Sequence, residues 1–239
     1  MITLYGFPTP NVLKILIALE ELGEPFRFEV IEVFKGEQFR EEFGALSVNR
    51  KVPVIVDEAG PDGEPLTLWE SGAILIHLAE KAGRLLPVEP AERLVAVQWL
   101  MWQMAGVGPM FGQLSHFRVF APEAEHEYAR ARYATEVKRL YDVAEARLEQ
   151  STYLGGADYS IADIAAWPWL RHPEKRGVDL GTLPAVCRWV EAIAQRPAVS
   201  RARAFYDALG TVDLPKLMRD EADAVDRYLQ RGSYSRPQL

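Results

Sequence analysis

The chain has 239 residues, of which 49% are hydrophobic and 26% are charged, and its formal net charge is -7 with a pI near 5.3. This length suits two domains that each bury a core, and the composition is typical of an ordered globular protein. The negative charge argues against nucleic acid as a partner, because proteins that bind a phosphate backbone usually present a basic face.

The cysteine and histidine content argues against a disulfide-bonded protein, a CxxC redox protein and a metal-binding protein. Cys187 is the single cysteine, so no intramolecular disulfide or CxxC pair forms, and the four histidines show no metal-ligand spacing. The chain starts without the basic segment of a signal peptide, and no apolar run approaches the ~18 residues of a membrane span. We therefore expect a cytoplasmic protein that holds no metal and does not enter a membrane.

The first third of the chain mixes strand and helix signals. Gly23 ends a stretch with helical apolar spacing, and the turn sequence at 61–65 separates two short apolar strands. The βαβ order at the start implies parallel pairing, and the later strands read as a hairpin. The predicted elements are strand 2–5, helix 12–22, strand 26–33, a short irregular helix 36–43, strand 52–57, strand 66–69 and helix 71–82.

Beyond Pro90 the strand signals disappear and helical periodicity dominates, with a predicted break at Gly106-Val107-Gly108-Pro109. The clearest local signal is Ser160 as an N-cap with Asp163 in the reciprocal position of a capping box. The sequence thus predicts an α/β domain over 1–82 and an all-helical domain over 89–209.

The remaining residues, 210–239, form a charged C-terminal extension that we expect to be loosely held. Leu217, Val225 and Leu229 are spaced to lay one apolar stripe onto the rest of the protein.

Several segments together resemble a known family. They are Tyr5-Gly6-Phe7-Pro8-Thr9-Pro10-Asn11, Lys51-Val52-Pro53-Val54, Trp69-Glu70-Ser71-Gly72, Gln98-Trp99-Leu100-Met101-Trp102-Gln103, Gly106-Val107-Gly108-Pro109-Met110 and Tyr153-Leu154-Gly155-Gly156. Over residues 1 to about 206 the chain resembles the cytosolic glutathione transferases, and most closely the bacterial Nu class. The resemblance implies a thioredoxin-like N-terminal domain, a homodimer, and glutathione-dependent disulfide reduction without a protein cysteine.

Thr9 and Asn11 are the candidate catalytic residues. Thr9 suits the N-cap and Pro10 the first helical position, so a well-capped helix explains both residues without any activity. A hydroxyl can also accept a bond from a helix N–H while it donates to a bound thiolate, and the Asn11 amide offers a second donor. Lowering a thiol pKa by about two units needs about 2.7 kcal/mol, which one or two charge-assisted hydrogen bonds supply. Tyr5 is the rival donor, although packing alone explains its place in a strand.

Two further segments complete the glutathione site that the resemblance implies. The Val52–Pro53 bond would be cis, and the Val52 backbone would pair with the cysteinyl part of glutathione, although a proline that opens a strand needs no such role. Ser71 and the helix N-terminus suit the γ-glutamyl carboxylate, and Glu70 suits its ammonium group.

More distant candidates for ligand binding follow from the same resemblance. Gln38 and Lys51 are candidates for the glycyl carboxylate, and Arg132 matches a position that reaches across the dimer in the Nu class. The aromatic stretch 99–111 suits either an apolar wall for a second substrate or an ordinary core. Cys187 is interpreted as a small buried hydrophobic residue.

Three functions stay open on the sequence. The first is reduction of a small disulfide by bound glutathione, whose thiolate Thr9 and Asn11 hold. The second is conjugation of glutathione to a small electrophile. The third is a catalytically silent module of the same fold that binds partners.

Overall fold

The computed structural model describes residues 1–121, 126–221 and 223–234. The chain divides into two compact units, one formed by residues 1–74 with the chain from Ala202 onward, and the other by residues 75–201. The elements are β1 (Ile2–Gly6), α1 (Pro10–Leu22), β2 (Phe26–Val30), α2 (Glu41–Leu46), β3 (Val54–Asp57), β4 (Leu66–Trp69), α3 (Ser71–Ala82), α4 (Pro90–Trp102), α5 (Gly108–Val119), α6 (Glu127–Gln150), α7 (Ile161–Leu170), α8 (Pro184–Ala194), α9 (Pro197–Ala208), α10 (Leu214–Asp220) and α11 (Ala224–Leu229).

The first unit contains a sheet with the strand order β2-β1-β3-β4. β1 is parallel to β2 and antiparallel to β3, and β3 is antiparallel to β4. Helix α1 connects the two parallel strands and buries every residue from Val12 to Leu19. These observations confirm the βαβ-ββα fold class predicted from the sequence.

The regular elements of the second unit are all helices, with no strand among its described residues, as predicted for the helical domain. At the start of α7, Ser160 and Asp163 form the predicted capping box. The buried Asp163 carboxylate also accepts hydrogen bonds from the Leu154 backbone N–H at 2.8 Å and from the Trp189 indole at 2.9 Å. The cap therefore joins α7, α8 and the preceding loop.

Several predicted boundaries are wrong. The irregular helix predicted at 36–43 is a 3₁₀-turn, Glu37–Phe39, followed by α2, and the strand predicted from residue 52 begins at Val54. β2 ends at Val30, and residues 33–35 form a 3₁₀-helix that Gly36 ends with a φ of 83°. The predicted break at 106–109 is instead a π-helical turn, Gln103–Val107, which leads directly into α5. Pro109 lies in the first turn of α5, directly after this π-helical turn.

The C-terminal extension is held more firmly than expected. Ala224 is fully buried in an apolar cluster with Phe7, Val33 and Phe34, and Leu217 packs against this cluster. Val225 of the predicted stripe is also buried. An amphipathic helix becomes stable when its apolar face finds a surface to cover, and here α11 covers the 3₁₀-helix after β2.

None of the helices in the described ranges combines the length and the hydropathy that a membrane-spanning segment requires.

Candidate functional site

The sheet register brings the predicted site segments together. Tyr5, Val54 and Trp69 are paired in one line across β1, β3 and β4. The chain leaves β1 after Gly6, enters β3 at Val54 and leaves β4 after Trp69, all at the same edge of the sheet. The segments around Thr9, Pro53 and Ser71 therefore lie at one edge of the first unit.

The α1 N-terminus is built as predicted. Thr9 has extended dihedral angles, and its Oγ1 accepts a hydrogen bond from the Val12 N–H at 3.3 Å, while Pro10 occupies the first turn. Thr9 and Asn11 are both partly exposed. A half-buried helix N-terminus with hydroxyl and amide side chains offers donors and a positive dipole end to an anion such as a thiolate.

The Val52–Pro53 peptide bond is cis, as the resemblance implied. Val52 is half-buried, whereas the neighbouring Lys51 is exposed. In the described part of the chain, the Val52 backbone forms no hydrogen bond with another backbone group outside the helices and strands. Its N–H and C=O are therefore placed beside the sheet edge without being part of the ladder.

The Glu70–Ser71 corner joins β4 to α3. Glu70 has a φ of 71°, which is unusual for a residue other than glycine and costs about 1 kcal/mol or more, a feature common at functional sites. The Glu70 carbonyl accepts from the Ile74 N–H, so α3 begins here, and its carboxylate accepts from the Asn49 amide at 3.4 Å. Ser71 is buried, and its Oγ accepts from the Lys14 ammonium at 3.1 Å.

Gln38 is buried and hydrogen-bonded within the protein, unlike an exposed side chain that is free to bind a ligand. Its side chain is only 1% exposed, and its Nε2 donates at 3.0 Å both to the Val33 carbonyl and to the Arg227 carbonyl. The backbone carbonyl of Gln38 accepts a hydrogen bond from the Arg50 guanidinium at 3.3 Å. Gln38 thus ties the loop after β2 to α11 and to the residue before Lys51.

The remaining candidates belong to the second unit. Arg132 lies exposed on α6 and forms an ion pair with Glu136 at 3.6 Å. In the aromatic stretch 99–111, Leu100, Val107 and Phe111 are fully buried, so core packing accounts for these three.

Cys187 is half-buried, which corrects the prediction of a buried residue. The buried face of α8 is formed by Ala185, Val186, Trp189 and Ile193. Cys187 lies at the margin of this face, with its Sγ 4.0 Å from the Leu180 carbonyl oxygen. Partial burial, with smaller effects of the Glu145 and Glu174 carboxylates, raises the pKa of its thiol, which opposes formation of a nucleophilic thiolate.

Two family models match the chain. The "Glutathione S-transferase, N-terminal domain" matches residues 9–81, and the "Glutathione S-transferase, C-terminal domain" matches residues 107–197. The chain belongs to the glutathione S-transferase family. Its extension from residue 210 onward lies outside both matched ranges.

Individual relatives of this glutathione transferase are similar over most of their length. The disulfide-bond oxidoreductase YfcG of Escherichia coli is 50% identical over 203 residues, which cover 84% of this chain and 94% of YfcG. A glutathione transferase of Burkholderia graminis, solved with two glutathione molecules per subunit, is 46% identical with a TM-score of 0.81, covering 87% of this chain and 88% of that one. A glutathione transferase of Pseudomonas putida, solved with one glutathione disulfide per subunit, is 43% identical with a TM-score of 0.80, covering 84% and 90%.

No role was predicted from the sequence for Lys14 or Arg227. A signal for Lys14 was present, since a lysine flanked by apolar residues on every side of a helix is forced into the core. Arg227 had no comparable signal, because the Phe34 carbonyl to which it donates lies in the loop after β2, far away in the sequence.

Proposed function

We propose that this glutathione transferase reduces small disulfides with glutathione as the electron donor and without a protein cysteine. The observation that carries the proposal is the register of β1, β3 and β4, which brings the segments around Thr9, Pro53 and Ser71 to one edge of the sheet. The identity of 50% to a disulfide-bond oxidoreductase supports the same reaction.

In the proposed first step, glutathione binds as a thiolate at the α1 N-terminus, held by Thr9 and Asn11. Its sulfur attacks one sulfur of the substrate disulfide, the disulfide bond breaks, and the leaving thiolate takes a proton from water. The product is a mixed disulfide between glutathione and half of the substrate.

In the second step, the thiolate of another glutathione attacks the glutathione sulfur of this mixed disulfide. Glutathione disulfide forms and the second half of the substrate leaves as a thiol, so two glutathiones are oxidised and one disulfide is reduced. Holding the two glutathiones side by side would replace a bimolecular step by an effectively intramolecular one. The relative from Burkholderia graminis was solved with two glutathione molecules per subunit.

The proposed binding set places the cysteinyl group against Val52 and Pro53, the glycyl carboxylate near Lys51, the γ-glutamyl carboxylate at Ser71, and the ammonium at Glu70. For Gln38 we propose a supporting role, because its side-chain hydrogens are directed to Val33 and Arg227.

The test measures glutathione-dependent reduction of 2-hydroxyethyl disulfide beside conjugation of an aryl halide. We expect disulfide turnover in the wild type to fall at least about 100-fold in Asn11→Ala, because a donor to the thiolate is lost, and to stay unchanged in the control Cys187→Ala. Efficient conjugation with weak disulfide turnover would favour the second function, and loss of turnover in Cys187→Ala would overturn the cysteine-free mechanism. Absence of both activities, with no affinity for glutathione, would favour the silent module.

The proposal includes a cytoplasmic homodimer in which Arg132 acts at the partner's site. If so, inactive Asn11→Ala subunits mixed with weakened Arg132→Met subunits will form heterodimers that regain activity, since one of their two sites has both residues. Light scattering that reports a monomer, or mixing that restores nothing, would contradict this arrangement.

A further inference from the structure

Lys14 is a buried lysine close to the candidate site. Its side chain is 1% exposed and lies in the run from Val12 to Leu19 in which every residue of α1 is buried. Lysine is almost never fully buried without a partner, because removing an ammonium group from water is costly. A lysine retained in such a place therefore needs an explanation.

The groups around Lys14 explain why a lysine is buried there. Its ammonium donates to the Ser71 Oγ at 3.1 Å, and Glu70 is the charged residue whose field acts on it. Burial lowers the pKa of Lys14 to about 7, and the Glu70 carboxylate opposes part of this decrease. Near neutral pH the side chain is thus balanced between its charged and neutral forms.

We infer that Lys14 is a positioning residue for the carboxylate-binding part of the site, where its buried ammonium orients the Ser71 hydroxyl and supplies positive charge. This inference rests on the proposed function, and the ligand group concerned is the γ-glutamyl carboxylate of glutathione. Glu70, the adjacent residue, would repel that carboxylate, and the charge of Lys14 offsets the repulsion. A hydroxyl that accepts a bond from an ammonium is also a better donor to an anion.

A consequence of this arrangement is proton uptake on binding. A bound carboxylate stabilises the ammonium form of Lys14, so the pKa of Lys14 rises when the ligand binds. At a pH near 7 about half of the free protein must then gain a proton, whereas near pH 5.5 Lys14 is already protonated and no uptake occurs.

The experiment is a calorimetric titration of the full-length protein with S-methylglutathione, whose blocked thiol does not titrate. A second ligand carries an amide in place of the γ-glutamyl α-carboxylate. Both ligands are titrated at pH 6.5 into wild type, Lys14→Met and the control Lys138→Met, which removes an exposed lysine that pairs with Asp142 on the same helix. Proton uptake is measured at pH 7 and 5.5 from buffers with different ionisation enthalpies.

We expect the carboxylate-to-amide change to weaken binding about tenfold more in the wild type and in Lys138→Met than in Lys14→Met. Wild type should take up about half a proton at pH 7 and none at pH 5.5, and Lys14→Met none at either. A purely structural role of Lys14 would weaken both ligands equally and leave no coupling.

The outcomes separate the two proposals. Binding of S-methylglutathione to the wild type without coupling to Lys14 and without proton uptake overturns the role of Lys14 and leaves the glutathione site standing. Absence of binding to the wild type overturns both. If Lys14→Met does not fold, the proton uptake of the wild type decides the question alone.

Discussion

Arg227 donates a hydrogen bond from its Nε to the backbone carbonyl of Phe34 at 2.6 Å, between residues 193 positions apart in the chain. The Arg227 carbonyl in turn accepts from Gln38, and Tyr228 stacks on the Phe34 ring with centroids 4.6 Å apart. Gln230 donates to the Arg50 carbonyl at 3.0 Å. The C-terminal extension therefore supports the loop after β2 and the segment that leads to Lys51.

Replacing Arg227 with leucine should release this extension. Two hydrogen bonds are lost, one to Phe34 and one to Glu221, so we expect the free energy of unfolding to fall by about 1–2 kcal/mol. Hydrogen exchange should accelerate in residues 214–234 and in the loop 33–39. Arg219→Leu, on the exposed side of α10, is the control, and equal exchange in the two variants would show that Arg227 does not hold the extension.

Substitutions of Thr9 can separate its capping role from its proposed role with the thiolate. Aspartate caps a helix well but cannot donate a hydrogen bond when ionised. We expect Thr9→Asp to keep its urea midpoint and to lose at least about tenfold in disulfide turnover, and Thr9→Ser to retain both. Full turnover in Thr9→Asp would leave Asn11 or Tyr5 as the donor.

The buried Lys14 predicts a specific dependence of stability on pH. Its pKa is about 7 in the folded state and near 10.5 in the unfolded chain, so above pH 7 the unfolded chain binds more protons. The contribution of Lys14 to stability therefore rises as the pH increases from about 7 towards 10.5 and is constant below that window. Between pH 7 and 9.5 the gain is at most about 3 kcal/mol.

Urea unfolding at pH 7 and 9.5 can measure this contribution. We expect Lys14→Met to be at least as stable as the wild type at pH 7 and to lose that advantage at pH 9.5. The control Lys138→Met should follow the wild type. Parallel pH profiles for Lys14→Met and wild type would show that the ammonium is not desolvated as described.

The capping box at α7 should contribute strongly to stability. Asp163→Ala removes the acceptor for the Leu154 and Ser160 N–H groups and for the Trp189 indole, which leaves buried donors unpaired. We expect a loss of about 3–5 kcal/mol in the free energy of unfolding for Asp163→Ala. Ser160→Ala removes only the bond from the Ala162 N–H and the bond from the Ser160 hydroxyl to Asp163, so we expect a loss of about 1–2 kcal/mol. Similar urea midpoints for the two variants would contradict this ranking.

The sequence alone predicted the elements whose signals are local. The Thr9 cap and the Ser160–Asp163 box each depend on residues within four positions of one another, and both are present. The break wrongly predicted at 106–109 also rested on local residues. Gly106 and Gly108 favour a break in a helix that no packing stabilises. Here the buried side chains of Val107 and Phe111 stabilise the helical conformation across this segment.

Tertiary structure alone decided which residues that are distant in the sequence bond to one another. Lys14 and Ser71 are 57 positions apart, and Arg227 and Phe34 are 193 apart, so no periodicity relates them. The burial of Lys14 and the docking of α11 depend on the free energy of packing one element against another, which a local pattern does not specify. The sequence by itself thus determined the fold class, the helix caps and the segments that meet at the sheet edge. The packing of the chain determined that Lys14 is buried beside Ser71 and that Arg227 supports the loop after β2.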